Sequence, residues 1–431
     1  MKPWLSRLVG RFESNYWLIP ALCVAAAIGL SFGSQALDAR LSHDEPAWYL
    51  FRGGPEGARS VLSAVVSSML TLAGLVFSVT ILVLQLASNQ FSPRVLRTFL
   101  KDHPSQLALG IFVGTFVYAL LGLRIVRGTS EGIERHVPSL SVWLAVVLSV
   151  LSVGAFIYYI HHVAQSIRAV VILTRIGEET RGTLEQMYPE SLGEDAEEAG
   201  EERPTGMPSL LIPSPRSPGV LVAVDPERLM SCAREARVTL ALVPMMGDFV
   251  PHGGTLFEVW GDAARLDVSR LLGALSFGAE RTLQQDTAFG FRQLVDIAER
   301  ALSPGINDPT TAVQAIDQLH DLLRRMVRRR FPSAARRDET GALRVICPRP
   351  DWDSYVRLAL DEVRRYGEGS IQITRRLRFL LEDLLRVAPA LRRGELERQL
   401  ELLEASVERS FATSREAALA MRASPQGHGP A

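Results

Sequence analysis

Polar side chains recur along one face of an otherwise apolar stretch, residues 60–89. At roughly 100° per residue, Ser60, Ser67, Thr71, Gly74, Ser78, Gln85 and Asn89 fall within about 40° of one line along a helix. The rest of its surface is mostly Val, Leu and Phe. A seam of hydroxyl, amide and glycine groups supports two kinds of chemistry. It lets neighbouring helices approach closely and exchange hydrogen bonds, or it lines a wet path through a channel or transporter, with Gln85 and Asn89 near the cytoplasmic mouth. No Asp, Glu, Lys or Arg lies between Ser60 and Asn89, so a proton relay or charged filter is missing. Because unpaired polar groups are costly in hydrocarbon, the seam is expected to turn away from lipid and sit inside a bundle.

A second group of polar residues lies in the C-terminal half: Arg281, Asp286, Arg292, Asp296, Asn307 and Asp308. Arg281, Gln285, Arg292, Asp296 and Glu299 follow helical spacing, which suits a solvated, salt-bridged face. The alternative is that Arg281, Asp286, Arg292, Asn307 and Asp308 converge on an anion or regulatory ligand near the helix start at Pro309. An enzyme needs a nucleophile with a base or clustered metal ligands, and neither pattern is present. His252 and His320 stand alone in the soluble part, and no glycine loop with its Lys-Ser/Thr is present. Cys23, Cys232 and Cys347 are too scattered for a disulfide framework or a zinc site. The run Gly247-Asp248-Phe249-Val250 resembles turns of lipoyl and biotinyl carrier folds, but the lysine flanked by methionines is absent, so it is read as a hairpin. No catalytic residue, metal or cofactor is expected. The basic runs at Arg328 to Arg330, Arg336-Arg337 and Arg375-Arg376 lack interleaved aromatics, which points to solvated helix faces or the inner leaflet and away from nucleic acid.

Those residues need elements to hold them. The chain has 431 residues, 47% of them hydrophobic, with zero formal net charge. Apolar residues concentrate in the first third and charge in the last, so a membrane part is followed by a soluble part. Four apolar runs of spanning length begin near Trp17, Ser60, Leu107 and Leu140. The first is read as an uncleaved helix, with a signal peptide as the alternative. The stretch from Asp38 to Arg59 reads as an outside loop. Basic residues at the N-terminus, near Arg94 and at Arg168 place both termini in the cytoplasm. Tyr158, Tyr159, His161 and His162 close the fourth run; adjacent histidines point to different sides of a helix, which suits an interfacial position better than a metal site or a pore mouth.

The expected fold is an α-helical membrane bundle of four transmembrane helices, followed by a cytosolic α+β module and a helical bundle. Its divisions are 1–163 for the membrane domain, 164–218 for a helical stalk and an acidic, Pro-rich linker, and 219–261 for the module; a mainly helical domain covers 262–423 and a disordered tail 424–431. In the helical domain, Ser303-Pro304-Gly305 ends one helix and Asp308-Pro309 starts the next.

Several strings resemble the bacterial predicted membrane proteins grouped as domain-of-unknown-function family 2254. They are Thr71 to Ser78, Gln85 to Arg94, Asp286 to Phe291, Arg292 to Ala298 and, most specifically, Ala301 to Ala312. The resemblance covers nearly the whole chain. It implies an integral membrane protein with N-terminal helices and a cytosolic C-terminal domain, and it supplies no activity, substrate or catalytic residue. The resulting expectation is a multi-pass inner-membrane protein in contact with the lipid bilayer. It is a homo-oligomer of channel or transporter type, or else a membrane-anchored ligand-binding or scaffold protein.

Overall fold

In the computed structural model the described residues are 17–41, 51, 53–90, 103–126, 137–192, 203–215, 217–411 and 413–427. The basic loop at Arg94 and most of the acidic stretch 194–204 lie outside them, as does the side chain of Asn89. The chain divides into two compact units, Met1–Val171 and Ile172–Ala431.

The first unit holds α1 (Leu18–Leu41), α2 (Pro55–Gln90), α3 (His103–Ile125) and α4 (Ser139–Ser166). All four are long and apolar enough to cross a membrane. Helix α3 packs against the other three, with Phe112, Tyr118 and Ala119 fully covered. Glycines allow α1 to lie close. A Cβ added at Gly110 would stand 2.8 Å from Cys23 Sγ and 3.2 Å from Pro20 Cα, and one at Gly114 would stand 3.2 Å from the Cys23 carbonyl oxygen. Small residues four apart are the usual means of close helix approach in lipid.

The polar groups inside this unit are not those of the seam. Asp38, expected to open an outside loop, lies within α1 and is buried. Its carboxylate accepts from Leu140 N at 2.9 Å, Ser141 N at 3.0 Å and Ser141 Oγ at 2.7 Å, so it caps the free amides at the start of α4. The Tyr118 hydroxyl lies 3.0 Å from Ser34 Oγ and donates to the Ser141 carbonyl at 3.2 Å. Deeper in the bundle, Tyr159 bonds with Thr80 at 2.8 Å and Thr115 with Ser152 at 3.2 Å.

Helix α2 buries Ala58, Leu62, Val65, Met69, Val76 and Val83, whereas Ser60, Ser67, Thr71, Gly74, Ser78 and Gln85 are exposed on the surface of the unit. Within a single chain the other three helices therefore leave the seam uncovered. Thr71 donates to the Ser67 carbonyl and Ser78 to the Gly74 carbonyl, each at 2.9 Å, so these hydroxyls are satisfied within α2 and do not require burial. The larger apolar face wins the contact with α3.

The second unit opens within α5 (Ala169–Met187), the helix expected as a stalk, which packs against the rest of that unit. Gly290 lets it lie against α8 (Thr287–Leu302), where any Cβ would collide with Thr180, and Arg181 pairs with Asp321 of α9 (Pro309–Met326) at 3.0 Å. Strand β1 (Leu210–Pro213) forms in the stretch expected as linker and pairs antiparallel with β5 (Thr255–Trp260). One sheet runs β1-β5-β3-β8-β7, with β3 at Thr239–Leu242, β7 at Ala335–Arg337 and β8 at Leu343–Ile346; a second runs β4-β2-β6, with β2 at Gly219–Val224, β4 at Phe249–Val250 and β6 at Leu275–Gly278. The α+β module thus extends well past residue 261. The reason is the parallel pairing of β3 with β8, Leu240 opposite Val345, because parallel neighbours need a long crossover and α8 and α9 lie within it.

Helix α6 (Pro226–Ala236) starts with the Asp225 side chain accepting from Arg228 N and with proline at its first position. Helices α7 (Val268–Leu272), α10 (Trp352–Tyr366), α11 (Ile371–Val387), α12 (Arg393–Ser410) and α13 (Ser414–Ala420) complete the unit. Ser424, expected to begin a disordered tail, is buried, and its amide donates to the Arg375 carbonyl at 3.3 Å.

Candidate functional site

A cavity of about 620 Å³ opens in the second unit between the end of α5, the sheets and the start of α8. Its walls come from several separate stretches of backbone. After α5, residues 188–192 run beside the segment that follows α9: Leu192 N donates to Arg328 O at 2.7 Å, and Arg330 N donates to Glu190 O at 2.9 Å. Strand β7 and the segment after β8, which carry Arg336, Cys347 and Arg349, line it as well. Gln285 joins the floor to β2 by accepting from Val224 N at 3.0 Å.

Aromatic rings dominate one side. Tyr188 and Phe331 have ring centres 4.9 Å apart, Phe331 and Tyr355 6.0 Å, and the Tyr188 and Tyr355 hydroxyls share a hydrogen bond of 2.9 Å. Burial raises the phenol of Tyr188 and pushes that of Tyr355 well above the ordinary value, so both are neutral near pH 7. Burial likewise raises the Cys347 thiol, which makes it a packing group. Thr287, also buried, lines the cavity with a hydroxyl that makes no hydrogen bond of ordinary geometry.

Of the six positions in the second polar group, Asp286 alone reaches this cavity. It caps α8, accepting from Phe289 N at 3.0 Å, and it pairs with Arg281, whose guanidinium approaches to 2.8 Å. Burial raises its carboxyl in spite of that partner. The pair packs over Gly247, whose φ of 88° suits the turn into β4.

Arg292 faces a separate set of carboxylates: Asp296 at 2.7 Å, Glu299 at 3.4 Å, and Glu362 of α10. Asn307 and Asp308 lie beyond the other end of α8. Asn307 adopts the left-handed conformation, φ 49°, which reverses the chain, and Asp308 caps α9 through Thr311 N at 3.1 Å. The 16 residues of α8 therefore hold Asp286 and Asp308 about 24 Å apart, at 1.5 Å per residue, and no common site forms.

Two residues carry more than their sequence positions suggested. Arg392 is buried between the rings of Phe331 and Trp352 and donates to the carbonyls of Met326, Val327 and Arg329, closing the end of α9. The isolated Arg392-Arg393 pair in the sequence gave no sign of this. His320 does not stand alone: it lies 3.0 Å from Asp383 and 3.1 Å from Arg376. An arginine can only donate, so Nδ1 of His320 accepts from Arg376 and Nε2 donates to Asp383. That fixes a neutral imidazole, in keeping with burial and the Arg376 charge, which together lower its pKa.

A family model described as a predicted membrane protein (DUF2254) matches residues 13–383. An uncharacterized protein of Mycobacterium bovis is 36% identical over 421 residues, covering 95% of this chain and 80% of the relative. An uncharacterized protein of Mycobacterium tuberculosis strain H37Rv matches with the same identity and coverage. No solved structure matches.

Proposed function

Because the chain belongs to the DUF2254 family of predicted membrane proteins, we propose that it is a multi-pass protein of the bacterial inner membrane whose C-terminal unit takes up a small molecule on the cytoplasmic side. The cavity of about 620 Å³ carries this reading, since sites for small molecules span roughly 300–1,000 Å³ and combine apolar walls with a few placed polar groups. Its wall includes the end of α5, a helix that begins at Ala169, three residues after the last apolar helix ends at Ser166. Ligand capture there acts on the segment that leads into the membrane part. The reading is of binding and regulation, without a reaction.

Thermal denaturation of the full chain in lipid nanodiscs, run against a panel of small metabolites, tests it. At least one chemical class raises the melting temperature of the wild type and leaves Ser333→Trp unmoved, because the indole occupies the cavity that Ser333 lines. A panel that stabilises neither protein, or both equally, removes the cavity from consideration.

A second reading rests on the outward seam of α2. A polar stripe on the surface of a membrane unit suits a homo-oligomer in which copies face one another along Ser67, Thr71, Gly74, Ser78 and Gln85, enclosing a path for a solute or ion. In that case the C-terminal unit regulates a channel- or transporter-like assembly.

A further inference from the structure

The charges around the cavity are not balanced. Glu190 at its edge is paired with Arg330 at 3.4 Å, and Asp286 is held by Arg281. Arg336 and Arg349 line the same cavity, are half-buried, and have no ion-pair partner among the described residues. Both act on the Cys347 thiol, and Arg349 acts also on the Tyr188 phenol, in each case favouring the anion. The two guanidinium groups therefore share the neighbourhood of Cys347 in the cavity lining. A half-buried cation that lacks a counter-ion loses hydration without compensation, unless an anion arrives. The guanidinium fork matches phosphate and carboxylate oxygens with two parallel hydrogen bonds.

Charge selects between those anions. Two uncompensated arginines match a phosphate monoester, which carries about −1.5 to −2 near pH 7, better than a single carboxylate. The half-buried Phe331 and the nearly covered Tyr188 line the same cavity and give it an apolar aromatic lining, against which a planar base packs. The buried Thr287 hydroxyl supplies one more polar contact at the start of α8.

We propose that the cavity binds a nucleoside monophosphate or a close analogue, its phosphate between Arg336 and Arg349 and its base against the Tyr188–Phe331 side. The proposal rests on the cavity being the regulatory site described above, and it deepens that reading by naming the ligand class.

Calorimetric titration of the full chain in phosphatidylcholine nanodiscs tests it, with adenosine 5′-monophosphate, guanosine 5′-monophosphate, adenosine and inorganic phosphate as probes. At least one nucleotide binds at least about 10-fold more tightly than adenosine and than phosphate, since both halves of the site contribute. Arg336→Gln with Arg349→Gln weakens that nucleotide by roughly 10- to 100-fold and leaves adenosine unchanged. Arg336→Lys with Arg349→Lys keeps the charge and guards against misfolding; it weakens the nucleotide by about 5-fold through loss of the fork geometry. Nucleotide binding that is no tighter than adenosine overturns the phosphate assignment. Binding no tighter than inorganic phosphate overturns the base assignment, and equal affinity in wild type and both double variants overturns the site. If these probes fail while another class still stabilises the wild type over Ser333→Trp, the ligand class falls and the regulatory site stands. If no compound distinguishes those two proteins, both fall.

Discussion

Glu299 illustrates how an excess of like charge is resolved. Arg292 is the guanidinium shared by Asp296, Glu299 and Glu362, so a proton on Glu299 relieves part of the excess, and burial together with the neighbouring Glu362 raises the Glu299 carboxyl from 4.5 to about 7. A carboxyl raised in this way holds its proton more tightly in the folded protein than in the unfolded one. Its stabilising contribution is complete below pH 4.5 and is lost as the pH rises through about 7. On the order of 1–3 kcal/mol is at stake. Melting curves of the full chain in detergent between pH 5 and 8 check this: Glu299→Gln removes part of the loss of stability that the wild type suffers on going to the higher pH. Parallel curves for the two proteins would refute the shared proton. Asn307 and Asp308, in contrast, spend their side-chain and backbone options on turning the chain and starting α9, and they have no part in this charge set.

At the scale of the helix, glycines of similar appearance in sequence do different work. Gly110 and Gly114 face α1 at distances that leave no room for a side chain, while a Cβ added at Gly74 meets nothing. Gly110→Leu therefore pushes α1 away from α3, at a cost of about 1–3 kcal/mol or more. Gly74→Ala leaves the fold of the single chain intact and gains up to about 0.5–1 kcal/mol of helix preference. Thermal aggregation in detergent reads both variants. A Gly110→Leu protein as stable as wild type would exclude this packing of α1, and a strongly destabilised Gly74→Ala protein would mean that α2 packs through its seam.

For the whole molecule, the seam of α2 decides whether copies associate in lipid. Thr71 and Ser78 bond their own helix, so exposure alone does not force association, but the Gln85 amide and the unbranched small surface favour a helix partner. Ser78→Cys in membranes is expected to form a disulfide between two copies on mild oxidation, whereas a cysteine in place of the buried Val76 is not. If the copies enclose a path, Ser78→Leu also changes ion flux in reconstituted vesicles. Cross-linking with unchanged flux leaves a packing interface, and absence of both sets the oligomeric reading aside.

The sequence alone determined what local chemistry controls. Four apolar stretches set the spans, because length and hydropathy suffice for that, and Asp308 marked a helix start, because a cap acts within three residues. It also determined that one stripe of α2 is polar. Tertiary structure decided which way the stripe points, since a helix with two usable faces is oriented by its neighbours, and α3 claims the apolar one. It likewise joined Leu210–Pro213 and Leu343–Ile346 into one sheet, though they lie far apart in the chain. The cavity belongs to the same class: Tyr188, Phe331, Arg336 and Arg349 are ordinary residues in three separate stretches, and only the pairing of distant backbone segments turns them toward one space.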